Sequence, residues 1–360
     1  MDESKRHAPV PGFCCSERLQ RVDEDDIVPS VIFTCNLPET RFDDEDSSNK
    51  TLEFVCREPS CGALLPAETA VVKNNDDEEE VPVDANFFDQ GYTLAGRTGF
   101  QVWTGTRIMI ETLLWKDKQK HANERIRHWQ ERIRDGTNIL ELGSGVGVVG
   151  CCLAAAGGHV LLTDLPTLVE HSVKPNLERN KNSQANLSSN DEDIAAAALT
   201  CPAWLKWQSD TAVRIGTGWA ATTTIDWKEP LVDQQLPAEQ CRSIDLIVAS
   251  DCVFLVEMLE SLLAVVANIF AQAQERKPAL MLSFQRRDAK DGDNSKSFTT
   301  VNRVIAEVKA RGWSIDCLAW YPVVVGEDRS QVFVFEILPD AAAAAAAAAS
   351  TTAADTSSRT

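Results

Sequence analysis

The chain has 360 residues, 44% of them hydrophobic, and carries 35 basic against 54 acidic side chains for a net charge of −19. That length holds one large domain or two small ones, and the apolar fraction is ordinary for a globular protein. The acidic balance excludes an overall basic nucleic-acid footprint. Ser261 to Phe270 comes nearest to a membrane span, and falls well short of the roughly eighteen apolar residues one needs.

MDESKRHAPV has no apolar stretch behind its charges, so no secretory signal is read, and a cytoplasmic location, with the nucleus as the alternative, is expected. The 11 cysteines are scattered without a CxxC pair, which predicts free thiols rather than a disulfide framework. The 5 histidines form no HExxH or similar cluster, and no metal site is expected.

Residues 1–26 are polar, charged and without period, and are read as disordered. Residues 27–97 form an N-terminal extension in which IVPSVIFTC and TLEFVC suggest a β-hairpin with a long tip. NNDDEEE (74–80) is an acidic loop. Residues 1–95 hold 22 acidic and 8 basic side chains, a net of −14; such a flank suits either attraction of a basic protein or plain solvation.

From about 98 to 338 strands and amphipathic helices alternate. Helices are predicted over 105–115 and 121–134. Strand NILEL (138–142) is followed by helix 146–156, and strand HVLLTD (159–164) by helix 166–180. A polar and alanine-rich insertion occupies 181–222. DLIVAS (245–250) then precedes helix 256–273, and ALMLSF (279–284) precedes helix 298–310. WSIDCLAW (313–320) and QVFVFEI (331–337) are joined by only 10 residues, YPVVVGEDRS. Alternation implies a parallel sheet covered on both faces, and so short a final connection requires an antiparallel pair. The tail, 339–360, with 9 consecutive alanines, is low in complexity.

ILELGSGVG (139–147) carries the strongest chemistry. An apolar strand ends at Glu141, and Gly143, Ser144 and Gly145 turn the chain into a helix. Glycine there lets the backbone approach a ligand, at the strand ends where doubly wound folds bind ligands. Gly145, Gly147 and Gly150 also satisfy GxGxxG, with Asp164 19 residues after Gly145, so the loop alone leaves a dinucleotide site open. Three features favour a sulfonium-bearing cofactor instead. Glu141 would repel a pyrophosphate, neither Tyr92 nor Tyr321 is followed by lysine four residues on, and the chain closes with a hairpin.

TGFQVWTGTRIMIETLLW (98–115), ILELGSGVGVVG (139–150), TTIDW (223–227) and DLIVASDCVF (245–254) together resemble the family-16 seven-strand protein-lysine methyltransferases, which modify non-histone proteins. The resemblance implies a Rossmann-like α/β fold, S-adenosyl-L-methionine as cofactor, and a protein substrate presenting a lysine. It implies that Trp103 lies against the methionine end of the cofactor, and that Gly143, Ser144 and Gly145 contact that end through their backbone. Glu141 would join this site, Asp164 would take the ribose hydroxyls, Trp227 would lie by the adenine, and Ser250 would line the pocket. Asp251 and Phe254 stand at the family's [D/E]xx[Y/F] signature, which assigns Asp251 to lysine orientation and Phe254 to the lysine channel. A carboxylate can hold an ammonium, and an aromatic wall can stabilise a cation. A helix cap by Asp251 with Phe254 in the core is the bland alternative. Arginine, histidine or a small molecule as acceptor, and a binding scaffold without turnover, are the competing functions.

Overall fold

The computed structural model describes residues 15–18, 30–37, 51–57, 98–114, 124–182, 200–273, 276–286, 298–325 and 328–339. The acidic loop at 74–80, residues 183–199 of the polar and alanine-rich stretch, and the alanine tail lie outside them.

Three strands precede the main sheet: β1 (Cys15–Arg18), β2 (Ser30–Asn36) and β3 (Thr51–Arg57). β2 and β3 form the expected antiparallel pair, in register from Ser30 opposite Arg57 to Asn36 opposite Thr51. β1 adds a third strand on the other edge of β2, inside the stretch read as disordered. Strict alternation supports β3, since Leu52, Phe54 and Cys56 are buried while Thr51 and Glu53 face water.

The chain then runs α1 (Thr104–Leu114), α2 (Glu124–Arg134), β4 (Asn138–Leu142), α3 (Val148–Ala155) and β5 (His159–Asp164). α4 covers 166–180, beginning with Pro166 in its first turn and interrupted by a π-turn at Val169–Val173. β6 (Val213–Ile215), β7 (Gly218–Thr224), α5 (Ala238–Ser243), β8 (Leu246–Ser250), α6 (Val256–Gln272), β9 (Ala279–Gln285), α7 (Val301–Ala310), β10 (Trp313–Val325) and β11 (Asp328–Pro339) complete it.

The main sheet has the order β10-β11-β9-β8-β4-β5-β7-β6. β7, β5, β4, β8 and β9 run parallel to one another. β11 runs antiparallel to β9, and β10 to β11, which gives the predicted closing hairpin. Seven strands form the expected α/β sheet, and β6 adds a short eighth at the edge beside β7. Residues 213–222 therefore belong to the sheet, which corrects their assignment to an insertion. GWAATTT hides its strand character because its small residues pack where no large side chain fits: a Cβ on Gly218 would stand 2.2 Å from the Gly158 carbonyl oxygen.

Helices cover both faces. α1, α2, α3 and the inner faces of β2 and β3 share one apolar cluster, while α5, α6 and α7 pack on the other face. The sheet order reverses between β4 and β8, and their carboxyl ends open at that reversal, where open α/β sheets bind ligands.

Candidate functional site

A cleft of about 300 Å³ lies at that reversal. Its walls are Thr98 to Thr106 on one side, the glycine turn after β4, Asp164 at the end of β5, Ile225 to Lys228 after β7, and Ser250 to Ser261 after β8.

The turn follows from its glycines. Gly143, Gly145 and Gly147 all have positive φ (71°, 55° and 84°), a region that L side chains enter at a cost. Space is equally restrictive, since a Cβ on Gly145 would meet the Gly99 carbonyl oxygen at 2.7 Å. The N–H groups of Gly143 and Ser144 both donate to the Thr163 carbonyl at 3.0 Å. Thr163 N–H returns a bond to the Ser144 hydroxyl, also at 3.0 Å. Ser144 thus fixes the turn to β5 while lining the cleft.

Asp164 is buried at 9% exposure. Gly145 N–H donates to its Oδ2 at 2.7 Å and Leu165 N–H to its Oδ1 at 2.8 Å. Burial nevertheless outweighs those bonds and raises its carboxyl from 3.8 to about 6. An acid so held is rigid and ionised near neutrality.

Glu141 does not join the lining. It points beneath the turn at Gly150 of α3, where a Cβ would lie 2.5 Å from its Oε2, and that oxygen has no hydrogen-bond partner. Burial pushes the carboxyl from 4.5 to about 8, with Asp164 adding to the rise. At neutral pH Glu141 is therefore a neutral acid under the site. Glu141, expected among the cofactor-site residues, is thus absent from the cleft lining.

Asp251 and Phe254 both line the cleft, at 2% and 4% exposure. Asp251 Oδ2 accepts Gly105 N–H at 3.1 Å and Oδ1 accepts Gln285 N–H at 3.2 Å. The aspartate adopts φ 52°, a left-handed conformation that Asp tolerates better than most residues. It therefore ties the first turn of α1 to β9, and a Cβ on Gly105 would meet its Cβ at 2.5 Å. The capping alternative is realised across the fold: Asp251 caps α1, not the helix that follows it.

The remaining predicted residues converge. Trp103 lines the cleft and donates from Nε1 to the Thr98 carbonyl at 3.0 Å. Trp227 stands across the turn, its ring edge 3.0 Å from a Cβ built on Gly143. Ser250 hydroxyl pairs with Thr106 hydroxyl at 3.2 Å. Burial, with Asp164 and Asp251 nearby, pushes the Cys252 thiol well up. Among the described residues no His/Cys/Asp/Glu group has the arrangement of a metal site, and no helix is long and apolar enough to cross a membrane.

A family model described as lysine methyltransferase matches residues 90–215 and 209–302, more than half of the chain. The chain belongs to the family-16 lysine methyltransferases. Protein-lysine N-methyltransferase rrg1 of Schizosaccharomyces pombe is 28% identical over 158 residues, 43% of this chain and 37% of that protein. Protein-lysine N-methyltransferase EFM6 of Saccharomyces cerevisiae is 25% identical over 210 residues, 54% of this chain and 66% of that protein. EEF1A lysine methyltransferase 3 of Xenopus tropicalis is 45% identical over 56 residues, 16% and 22% of the two chains. The chain thus spans between about a fifth and two thirds of the length of these relatives. Magnesium protoporphyrin IX methyltransferase (ChlM) from Synechocystis PCC 6803 with bound SAM is 16% identical, covering 71% of this chain and 94% of that one at a TM-score of 0.37, too loose to inform the site.

The cofactor of this lysine methyltransferase family member is S-adenosylmethionine, and the cleft suits it. The turn presents backbone where a Cβ would collide, a fixed carboxylate stands beside it, and two tryptophans flank it. Among the described residues Lys228 is the one lysine or arginine that lines the cleft. The sequence reading missed Gln101, Thr106, Asp226, Leu168, Glu257 and Met258, which also line the cleft. Gln101 and Thr106 flank Trp103 within one quoted segment, a signal that was present; Glu257 and Met258 follow Phe254 by one helical turn.

Proposed function

We propose that this chain is an S-adenosylmethionine-dependent protein-lysine N-methyltransferase acting on a non-histone protein. The observation that carries the reading is the convergence of the glycine turn, Asp164, Trp103, Trp227 and the Asp251–Phe254 signature on one cleft. When bound, S-adenosylmethionine supplies a methyl group already activated by its sulfonium.

What the protein adds is alignment and exclusion of water. Gly143 and Gly145 admit the amino-acid end of the cofactor to close backbone contact, Asp164 accepts from the ribose hydroxyls, and Trp227 offers an aromatic face to the adenine. Phe254 walls the channel through which the lysine stem enters, and lacks the hydroxyl by which a tyrosine would bond the amine. Asp251, while holding the first turn of α1, places negative charge on the floor of the cleft, where an ammonium is attracted and oriented before it loses its proton. The exposed carboxylate of Glu257 at the mouth extends that attraction outward. Relatives bearing the names protein-lysine N-methyltransferase and EEF1A lysine methyltransferase 3 support a lysine on a protein as the acceptor. A cytoplasmic location accords with such a target.

The reading is tested by incubating the purified chain with methyl-labelled S-adenosylmethionine and cell extract, then mapping the labelled residue. Label on lysine Nε of a discrete protein is expected. Label on arginine or histidine alone would refute the lysine assignment.

A further inference from the structure

The outer edge of β3 is taken up by side chains and loop backbone. Asn180 Oδ1 accepts Glu53 N–H at 2.8 Å, and its Nδ2 donates to Glu53 O at 2.7 Å. One helical turn earlier, Asn176 Oδ1 accepts Val55 N–H at 2.8 Å, and its Nδ2 donates to Val55 O at 3.1 Å. The fit is geometric. Four helical residues rise about 6 Å and two strand residues about 6.6 Å, so asparagines at i and i+4 meet alternate residues of a strand edge. The next alternate residue, Arg57, donates its N–H to Phe100 O at 2.8 Å.

Two walls of the cofactor cleft are thereby referred to one strand. Phe100 lies between Gly99 and Gln101, both in the cleft wall, and the Gly99 carbonyl sits against Gly145. On the other side, Asn176 Nδ2 also donates to Val146 O at 3.0 Å, inside the glycine turn. Asn176 is 1% exposed, so these bonds face no competition from water. Asn180 makes the same kind of bonds to β3 but bonds Asn176 O instead of the turn.

We propose that Asn176 is a positioning residue of the cofactor site, through which the N-terminal sheet fixes the glycine turn. The N-terminal extension is on this account part of the cofactor-binding machinery and not an appendage to it. The proposal rests on the S-adenosylmethionine reading of the cleft, but not on lysine as the acceptor.

The test is calorimetric titration of the full chain and its variants with S-adenosylhomocysteine, with melting temperature recorded alongside. Asn176→Ala and Asn180→Ala both loosen β3 and should lower the melting temperature, the buried Asn176 by more. Only Asn176→Ala should weaken affinity, by about tenfold, the effect of one lost buried hydrogen bond. Asn176→Asp, which keeps an acceptor for Val55 N–H and loses the donor to Val146, should weaken it likewise and serves if the alanine variant does not fold. Unaltered affinity in a folded Asn176 variant, or an equal loss in Asn180→Ala, would overturn the proposal. Absence of binding by the unsubstituted chain would overturn the cofactor reading and this inference together.

Discussion

Two buried acids beneath and beside the glycine turn have opposite duties, and pH separates them. Asp164 titrates near 6 in the folded protein, and ribose hydroxyls donate best to its ionised form. Cofactor affinity should therefore be close to full at neutral pH and above, and fall as pH drops through 6. Asp164→Asn should remove that dependence and weaken binding by on the order of 1.5–3 kcal/mol; titrations of S-adenosylhomocysteine from pH 5 to 8 check both. Glu141 holds its proton to about pH 8 when folded, against 4.5 when exposed. Its folded value is raised, so the stability it contributes is complete below pH 4.5 and is lost as pH rises toward 8. The loss is about 1.4 kcal/mol per pH unit between those limits. Glu141→Gln has no proton to lose. Its stability advantage over the parent chain, from urea denaturation, should grow at that rate from pH 6 to about 7 and level off above 8. A constant difference would mean that Glu141 is ionised.

At the scale of elements, the cleft depends on contacts between segments far apart in sequence. Asp251 follows β8 yet holds the N-terminus of α1 and the end of β9. Asp251→Ala leaves two buried N–H groups without their acceptor and keeps φ near 52°. We expect a stability loss of on the order of 2–4 kcal/mol, with cofactor affinity falling in step as the Trp103–Thr106 wall shifts. A variant of unchanged denaturation midpoint that binds cofactor but no longer turns over would assign Asp251 to substrate alone. The elements themselves were legible where hydrophobic period and punctuation agreed. β4, β5, β8 and β9 are apolar runs with sharp ends, and the closing hairpin followed from its short connection. β7 was not legible, because Gly218, Ala220 and Ala221 fill a space too small for the branched residues that mark a strand. Nor was the direction of Glu141. Its place at the end of β4 was plain in the sequence, but whether it faced the ligand or α3 depends on the parity of the strand against its neighbours.

For the molecule as a whole, the N-terminal sheet and the Rossmann-like sheet share one apolar cluster through Phe33, Phe54, α1 and α3. Sequence composition set the first 95 residues apart as acidic, but pairing between β3 and the asparagines of α4 links positions 121 and 127 residues apart, a separation that no local pattern encodes. The site was legible to the extent that it lies in contiguous motifs: Trp103, the turn, Asp164, Trp227 and the Ser250–Phe254 segment all reach the cleft. Its supporting shell, Asn176 above all, was not. The central claim is that this shell and these motifs form one S-adenosylmethionine pocket. Calorimetric titration of the purified chain with S-adenosylhomocysteine, with NAD and NADP in parallel, tests it most directly. The account predicts saturable binding of S-adenosylhomocysteine at one site and none of either nicotinamide cofactor. Binding of NAD or NADP alone would contradict it.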